Sequence, residues 1–358
     1  GESLLACVHP WETGTDNSPA FSFPIEATGR FVDESNLDMG AFERGDTVYV
    51  SESQRPTGRD YHAYFGLVAL FKKLRYDQRA ILAASPFVVQ DVLFNSLFAA
   101  SLRSLGDLQD RLAVIAAGAR AEQLARRAEE NRNVAGRVAR AVRGKLWDQA
   151  SRFFYAYDCK SGQHLPVRTV SGLVPLLSGV ADSGQADHLC ASIRDAEEFG
   201  LRYPLPSTAA SEESFDPLRY WSGPSWPVTN WLVIRGLAER GSPLAKDLTV
   251  KTLDMIMEGL PLADGITAAE QLMELNSVGQ DFTTPAPSQY KHGWLWDSAI
   301  VATAWPHIMQ QPLVHQQSPL RPTAPRFWEY YHSETGAPLG SPDMTWSAAV
   351  LLNLVHGG

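Results

Sequence analysis

Cysteine is scarce, with only Cys7, Cys159 and Cys190 in 358 residues. This odd, widely separated trio has neither the CxxC spacing of a zinc or redox site nor the density of a disulfide scaffold, so reduced structural thiols in a cytoplasmic protein are expected. Long hydrophobic runs are missing as well. No stretch approaches the roughly 18 apolar residues of a membrane-spanning helix, and the opening GESLLACVHPWETG lacks the basic start and apolar length of a secretory signal. Basic charge is in short supply: 31 Lys and Arg against 40 Asp and Glu give a formal net charge of −9. With no Lys/Arg run longer than a pair, the sequence has no electrostatic footprint for nucleic acid or an anionic membrane. A neutral or weakly charged small molecule is the expected partner, and oligomeric state is left open. Motifs of fixed spacing are also lacking, for there is no GxSxG, HExxH, P-loop or GxGxxG. The nine histidines show no metal-ligand spacing, so no metal or other cofactor is expected, and His9, His292 and His332 read as hydrogen-bonding loop residues.

What is plentiful is apolar and aromatic. Hydrophobic residues make up 44% of the chain and charged residues 20%, the balance of a soluble globular protein with a sizeable core. Ten Trp and eleven Tyr are present, and many lie in short motifs with Gly, Pro, Asp or Glu rather than on helical stripes. Flat aromatic faces suit the apolar C–H side of a sugar ring, although large aromatics also simply fill cores.

Periodicity predicts an all-α chain with long loops. Residues 57–74 carry Tyr61, Tyr64, Phe65, Val68 and Phe71 at helical spacing, and residues 87–109 read as a nearly all-apolar helix. The Ala-, Arg- and Glu-rich stretch 110–147 turns Leu124, Val134, Val138 and Val142 toward a core and its charges toward water. FFYAYDCKSGQHL reads as a short β-hairpin around a Ser-Gly turn. Helices are expected in SGLVPLLSGV and near 183–195, and further ones at 224–240, 243–260, 265–275, 295–310 and 343–356. No clean domain boundary interrupts residues 1–358. The Gln/Pro-rich stretch 310–325 is a candidate flexible joint or simply a long internal loop.

Four constellations could carry chemistry. In HPWETGTDNSP, residues 9–19, Trp11, Glu12, Asp16 and Asn17 crowd into a turn. A carboxyl beside an aromatic wall can have the raised pKa of a general acid, or Asp16 can merely cap a helix. In RYWSGPSWPVTNW, residues 219–231, Tyr220, Trp221 and Trp226 surround Gly223, as a sugar platform or as packing between helices. In FWEYYHSETGAPLGSPDMTWSAA, residues 327–349, Glu329 sits among aromatics as a base against an apolar wall or as the partner of an unseen arginine. In QYKHGWLWDSAI, residues 289–300, Trp294, Trp296 and Asp297 could bind ring face and hydroxyls, Tyr290 is a further substrate-binding candidate, and Asp297 is equally suited to cap the next helix.

HPWETGTDNSP, SGLVPL, RYWSGPSWPVTNWL and WEYYHSETGAPLGSPDMTWSAA together resemble motifs of glycoside hydrolase family 63, in particular its bacterial mannosylglycerate and glucosylglycerate hydrolases. The resemblance implies an (α/α)6 toroid, no metal, and inverting hydrolysis of an α-linked sugar from a small acceptor such as glycerate. It implies Asp16 as general acid and Glu329 as general base. Tyr220, Trp221, Gly223 and Trp226 would line the sugar site, with Trp296 and Asp297 as a sugar-contacting pair. Inversion would place the two carboxyls roughly 6.5–9.5 Å apart. A segment from Ala268 that resembles the family's N-terminal stretch stands near the end of this chain, which implies a rearranged or an incomplete ring. A non-catalytic sugar-binding derivative of the same toroid is the alternative. Toroids also host lyases and epimerases, but the loops here offer carboxylates.

Overall fold

The computed structural model describes residues 3–40, 44, 46–47, 50–258, 327–341 and 344–355. Helices dominate it: α1 Ser22–Glu34, α2 Gly58–Lys73, α3 Gln78–Ala84, α4 Val92–Ile115, α5 Ala119–Ala141, α6 Ser183–Arg194, α7 Pro227–Glu239, α8 Leu244–Glu258 and α9 Thr345–Val355. Their starts follow from capping chemistry. Thr57 and Asp60 exchange side-chain and backbone bonds at the start of α2, and Asp182 and Gln185 do the same for α6. Asp91 accepts the Phe94 N–H at 2.7 Å to open α4, and Pro227 occupies the first turn of α7, where its missing N–H costs nothing.

Several expectations shift. The apolar helix expected over 87–109 begins only after Asp91, because Val89–Gln90 is spent on a strand, and it runs on to Ile115. The stretch expected as one unit over 110–147 is broken before Gly118, which takes a φ of 57°. SGLVPLLSGV forms a kinked 3-10 segment, Val170–Gly179, rather than an α-helix: Pro175 withholds a donor, and Leu177 and Ser178 leave helical geometry. α1 and α3 were not expected. The helices expected at 265–275 and 295–310, and the joint at 310–325, lie outside the described residues.

Helical pairs form the frame. α1 packs on α2, α4 on α5, and α7 on α8, with the Val170–Gly179 segment wedged between α4 and α7. Gly236 makes that wedge possible, since a Cβ there would lie 2.5 Å from Leu177 N and 2.6 Å from the Leu176 carbonyl carbon. Leu173, Val174, Leu176, Val233 and Leu237 meet in the main core. A second core joins Phe21 and Ile25 to Tyr64, Leu67 and Phe87.

Minor strands tie loops together. β1 Val89–Gln90, β4 Tyr157–Asp158 and β5 Gln163–His164 form an antiparallel sheet around the expected Ser-Gly turn, while β2 Trp147–Asp148 pairs with β3 Phe153–Phe154. Cys7 bridges to Val89 and so draws the N-terminal segment over the start of α4. Single bridges then run from Thr169 to Thr208, from Pro206 to Ser225, and from Ser225 to Tyr331 in β6, Tyr330–Tyr331, which pairs with β7, Pro338–Leu339. Loops remote in sequence are thereby stitched into one surface.

Candidate active site

That surface collects Asp16, Arg55, Tyr220 and Glu329. Asp16 follows a 3-10 turn, Pro10–Thr13, that ends on Gly14 at a φ of 77°. The helix cap in DNSP is supplied by Ser18, whose Oγ accepts the Ala20 N–H, and not by Asp16. The Asp16 carboxyl instead faces the site, where burial pushes its pKa up to about 6. Its own backbone N–H, the charge of Arg55, the Tyr220 hydroxyl and the Trp221 indole oppose the rise without cancelling it. The Tyr64 hydroxyl fixes the turn by donating to the Asp16 carbonyl at 3.1 Å. Asn17 sits alongside and also meets that hydroxyl.

His9 holds the same turn from behind. Its Nδ1 accepts the Trp11 N–H at 3.1 Å, so the opposite Nε2, 3.0 Å from the Tyr64 carbonyl, carries the proton and donates. Burial lowers the His9 pKa to about 4, so the ring is neutral at physiological pH. Trp11 lies over His9, Tyr64 and Phe65 with its outer face 45% exposed. Glu12 serves the architecture of the turn, because its Oε2 accepts the Val8 and His9 N–H groups at 2.7 and 3.2 Å and so closes the 3-10 cap.

Glu329 precedes β6 and is 5% exposed. Arg55 is its partner, the arginine that the sequence left unseen. Nη1 donates to Oε1 at 3.1 Å and Nη2 to Oε2 at 2.6 Å, a buried two-pronged ion pair. Burial opposes the charge of Arg55, but the Glu329 carboxylate outweighs it and raises the arginine pKa. The Ser341 N–H adds a third bond, to Oε2, at 2.9 Å. Arg55 arrives on a 3-10 turn, Glu52–Gln54, and Gln54 clasps the facing hairpin: its carbonyl accepts the Tyr330 hydroxyl at 3.1 Å and its Oε1 accepts the Gly340 N–H at 3.0 Å.

Tyr220 joins the two carboxyls. Its ring lies 5.0 Å from the Arg55 guanidinium. Its hydroxyl pKa is driven upward first by burial and then by the charges of Asp16 and Glu329, which places it beside both. Its backbone φ of 31° is strained for an aromatic residue, a geometry that persists where surroundings over-determine it. The Trp226 indole helps by donating to the Tyr220 carbonyl at 3.2 Å. Gly223 is required for close approach, since a Cβ there would meet Asp216 O at 2.5 Å.

Trp221 and Trp226 stack face to face at 3.7 Å, and Tyr330 covers the second ring at 4.5 Å. Trp226, only 2% exposed, is therefore a wall behind the site rather than an open platform. The Trp221 indole Nε1 is buried beside Asp16 and, among the described residues, makes no hydrogen bond of ordinary geometry. Tyr290, Trp294, Trp296 and Asp297 lie outside the described residues. Among the described residues no group of three or more His, Cys, Asp or Glu is placed to hold a metal ion, and no helix is long and apolar enough to cross a membrane.

Sequence reasoning named Asp16 and Glu329 but missed Arg55, Gln54 and Tyr64. Arg55 and Gln54 stand in the polar stretch SESQRPTG, which has no periodicity, and Tyr64 reads as one more apolar stripe position. The aromatic setting of Glu329 was the one signal that an arginine was needed.

Residues 1–269 match the family described as the mannosylglycerate hydrolase MGH1-like glycoside hydrolase domain. The mannosylglycerate hydrolase of Thermus thermophilus is 35% identical over 242 residues, 66% of this chain and 52% of that protein. The glucosylglycerate hydrolase of Mycolicibacterium hassiacum is 29% identical over 242 residues, 66% of this chain and 51% of that protein. The chain thus spans about half the length of the curated relatives it matches. The crystal structure of a family 63 mannosylglycerate hydrolase from Thermus thermophilus, in complex with Tris and D-glycerate, superposes with a TM-score of 0.65 at 28% identity, covering 98% of this chain and 64% of that one. The all-α fold with minor hairpins is shared with that solved relative and is consistent with a toroid. By its motifs, its fold and the match over residues 1–269, the chain belongs to the mannosylglycerate hydrolase MGH1-like family within glycoside hydrolase family 63.

Proposed function

We propose that this chain hydrolyses an α-linked mannose or glucose from a small acid-bearing acceptor such as glycerate, with inversion. The observation that carries the reading is that Asp16 and Glu329, from opposite ends of the sequence, both lie near Arg55 and Tyr220, in environments that differ in kind. Asp16 is buried, has no direct cationic partner among the described residues, and binds a proton up to about pH 6. Glu329 is a carboxylate held by a cation. Such a divided pair suits an acid and a base working on opposite faces of one sugar. In the step, Glu329 takes a proton from water as the water oxygen bonds to the anomeric carbon. The bond from that carbon to the acceptor oxygen breaks, and Asp16 protonates the departing oxygen. Exchange with solvent resets both carboxyls.

The substrate class rests on the relatives, which are mannosylglycerate and glucosylglycerate hydrolases. A carboxylate-bearing acceptor also matches the guanidinium of Arg55 in chemistry. Wild-type chain incubated with mannosylglycerate and glucosylglycerate in parallel is expected to release free sugar, with NMR showing the inverted anomer first. Asp16→Asn and Glu329→Gln should each abolish release. Folded protein that turns over neither substrate would remove the reading. One observation favours a non-catalytic sugar-binding derivative instead: both oxygens of Glu329 are already engaged.

A further inference from the structure

A general base needs a lone pair aimed at the water it activates. Glu329 has little of that freedom, because three of its roughly four lone-pair sites are filled and what is left lies on Oε1, beside the guanidinium. Oε1 receives Nη1 of Arg55, and Oε2 receives both Nη2 of Arg55 and the Ser341 N–H. The arginine is 9% exposed and the glutamate 5%, so water does little to loosen the pair. Gln54 anchors the arginine's loop to the hairpin that carries Glu329, so the contact is built in from both sides.

The arginine is not fully satisfied. A guanidinium has five N–H donors, and among the described residues the buried Nε–H of Arg55 has no acceptor. An unpaired buried donor on a cation is a standing invitation to an anion. It lies on the side chain whose guanidinium faces the Tyr220 ring and whose charge reaches Asp16, where an acceptor leaving under protonation by Asp16 would be.

Resting on the hydrolase reading above, we infer that the acceptor's carboxylate competes with Glu329 for Arg55, so that binding of an acid-bearing glycoside unmasks the base. Two carboxylates at one guanidinium share a single positive charge, and the hold on each weakens. A neutral acceptor supplies no such competitor and leaves Glu329 clamped. Discrimination against neutral glycosides then falls on kcat as well as on KM, because the acid assembles the catalytic state rather than merely adding affinity.

Two measurements on the full chain test this. The first is calorimetric titration of D-glycerate into wild type and Glu329→Gln, with thermal melting to show that both are folded. Competition predicts binding at least about tenfold tighter in the variant, because a rival carboxylate is gone. Equal or weaker binding, as expected if Glu329 only positions Arg55 for the ligand, overturns the inference. The second needs no variant: hydrolysis of α-mannosyl fluoride, which has no acceptor, should be accelerated by added D-glycerate and not by glycerol. Hydrolysis indifferent to glycerate sinks the inference while leaving the hydrolase reading intact. Failure to hydrolyse both the fluoride and the glycosylglycerates sinks the hydrolase reading, and calorimetry still decides whether Glu329 and glycerate compete.

Discussion

Asp16 binds its proton more tightly in the folded chain than in the unfolded one, with a pKa near 6 against an ordinary 3.8. In the proposed role of general acid it must be protonated, so kcat/KM is expected to fall about tenfold per pH unit as pH rises above about 6. The same burial has a thermodynamic sign. Above that pH the native state holds a desolvated charge, so Asp16→Asn should melt higher than wild type at pH 8, by on the order of 1–2 kcal/mol, while losing on the order of 100- to 10,000-fold in rate. A variant that loses activity and also melts lower would show that Asp16 supports the fold. His9 differs, because its ring is neutral and makes two backbone bonds. His9→Phe keeps the ring contacts but orphans the Trp11 N–H and the Tyr64 carbonyl, which should cost roughly 1–3 kcal/mol by urea unfolding. At this scale Asp16 and Glu329 were legible as carboxyls in aromatic motifs. Arg55 was not, since one arginine in a polar loop resembles any other until the fold places it.

Among the elements, the contact between α7 and the Val170–Gly179 segment tolerates nothing larger than glycine at position 236. The atoms that a Cβ would strike are backbone, 2.5 and 2.6 Å away, and cannot rotate aside. Gly236→Ala should therefore destabilise by about 1–3 kcal/mol or more despite alanine's better helix propensity, and equilibrium unfolding that shows a gain would contradict the packing. Most helices were readable from periodicity and caps, as α2, α6, α7, α8 and α9 show. α1 was not, because FSFPIEATGRF carries a proline and a glycine that read as punctuation, yet Pro24 falls in its first turn and Gly29 packs under Arg59. The 3-10 form of SGLVPLLSGV was equally hidden, since its apolar composition suits any buried helix.

At the scale of the whole molecule, Asp91 and Asp16 are, among the described residues, buried carboxyls whose protons bear on how stability responds to pH. Asp91, which caps α4, is raised to about 7 by burial against the pull of the N–H groups of Phe94, Val92 and Leu93, and Asp16 to about 6. Both bind protons more tightly when folded, so stability should decline as pH rises from about 4 to about 7. Asp33, held low by Arg59, and Asp148, held low by Ser151, act oppositely as pH falls below about 4, and His9, lowered to about 4 by burial, acts oppositely between about pH 4 and 6.5 without outweighing the two carboxyls together. Melting temperature is thus expected to be higher at pH 5.5 than at pH 8, and Asp91→Asn, which keeps a capping oxygen, should flatten that slope. A melting point that climbs from pH 5.5 to pH 8 would refute the assignment.

The sequence by itself determined the all-α class, most helix positions and the two carboxyl-bearing motifs that lead to family 63. These are local properties, written in periodicity, composition and short spacing. Only the tertiary structure decided that Arg55 grips Glu329, that Ser18 rather than Asp16 caps the turn, that Glu12 serves the backbone, and that Trp226 is a covered wall. Each depends on which groups share a buried volume, and burial is set by long-range packing that no local pattern records.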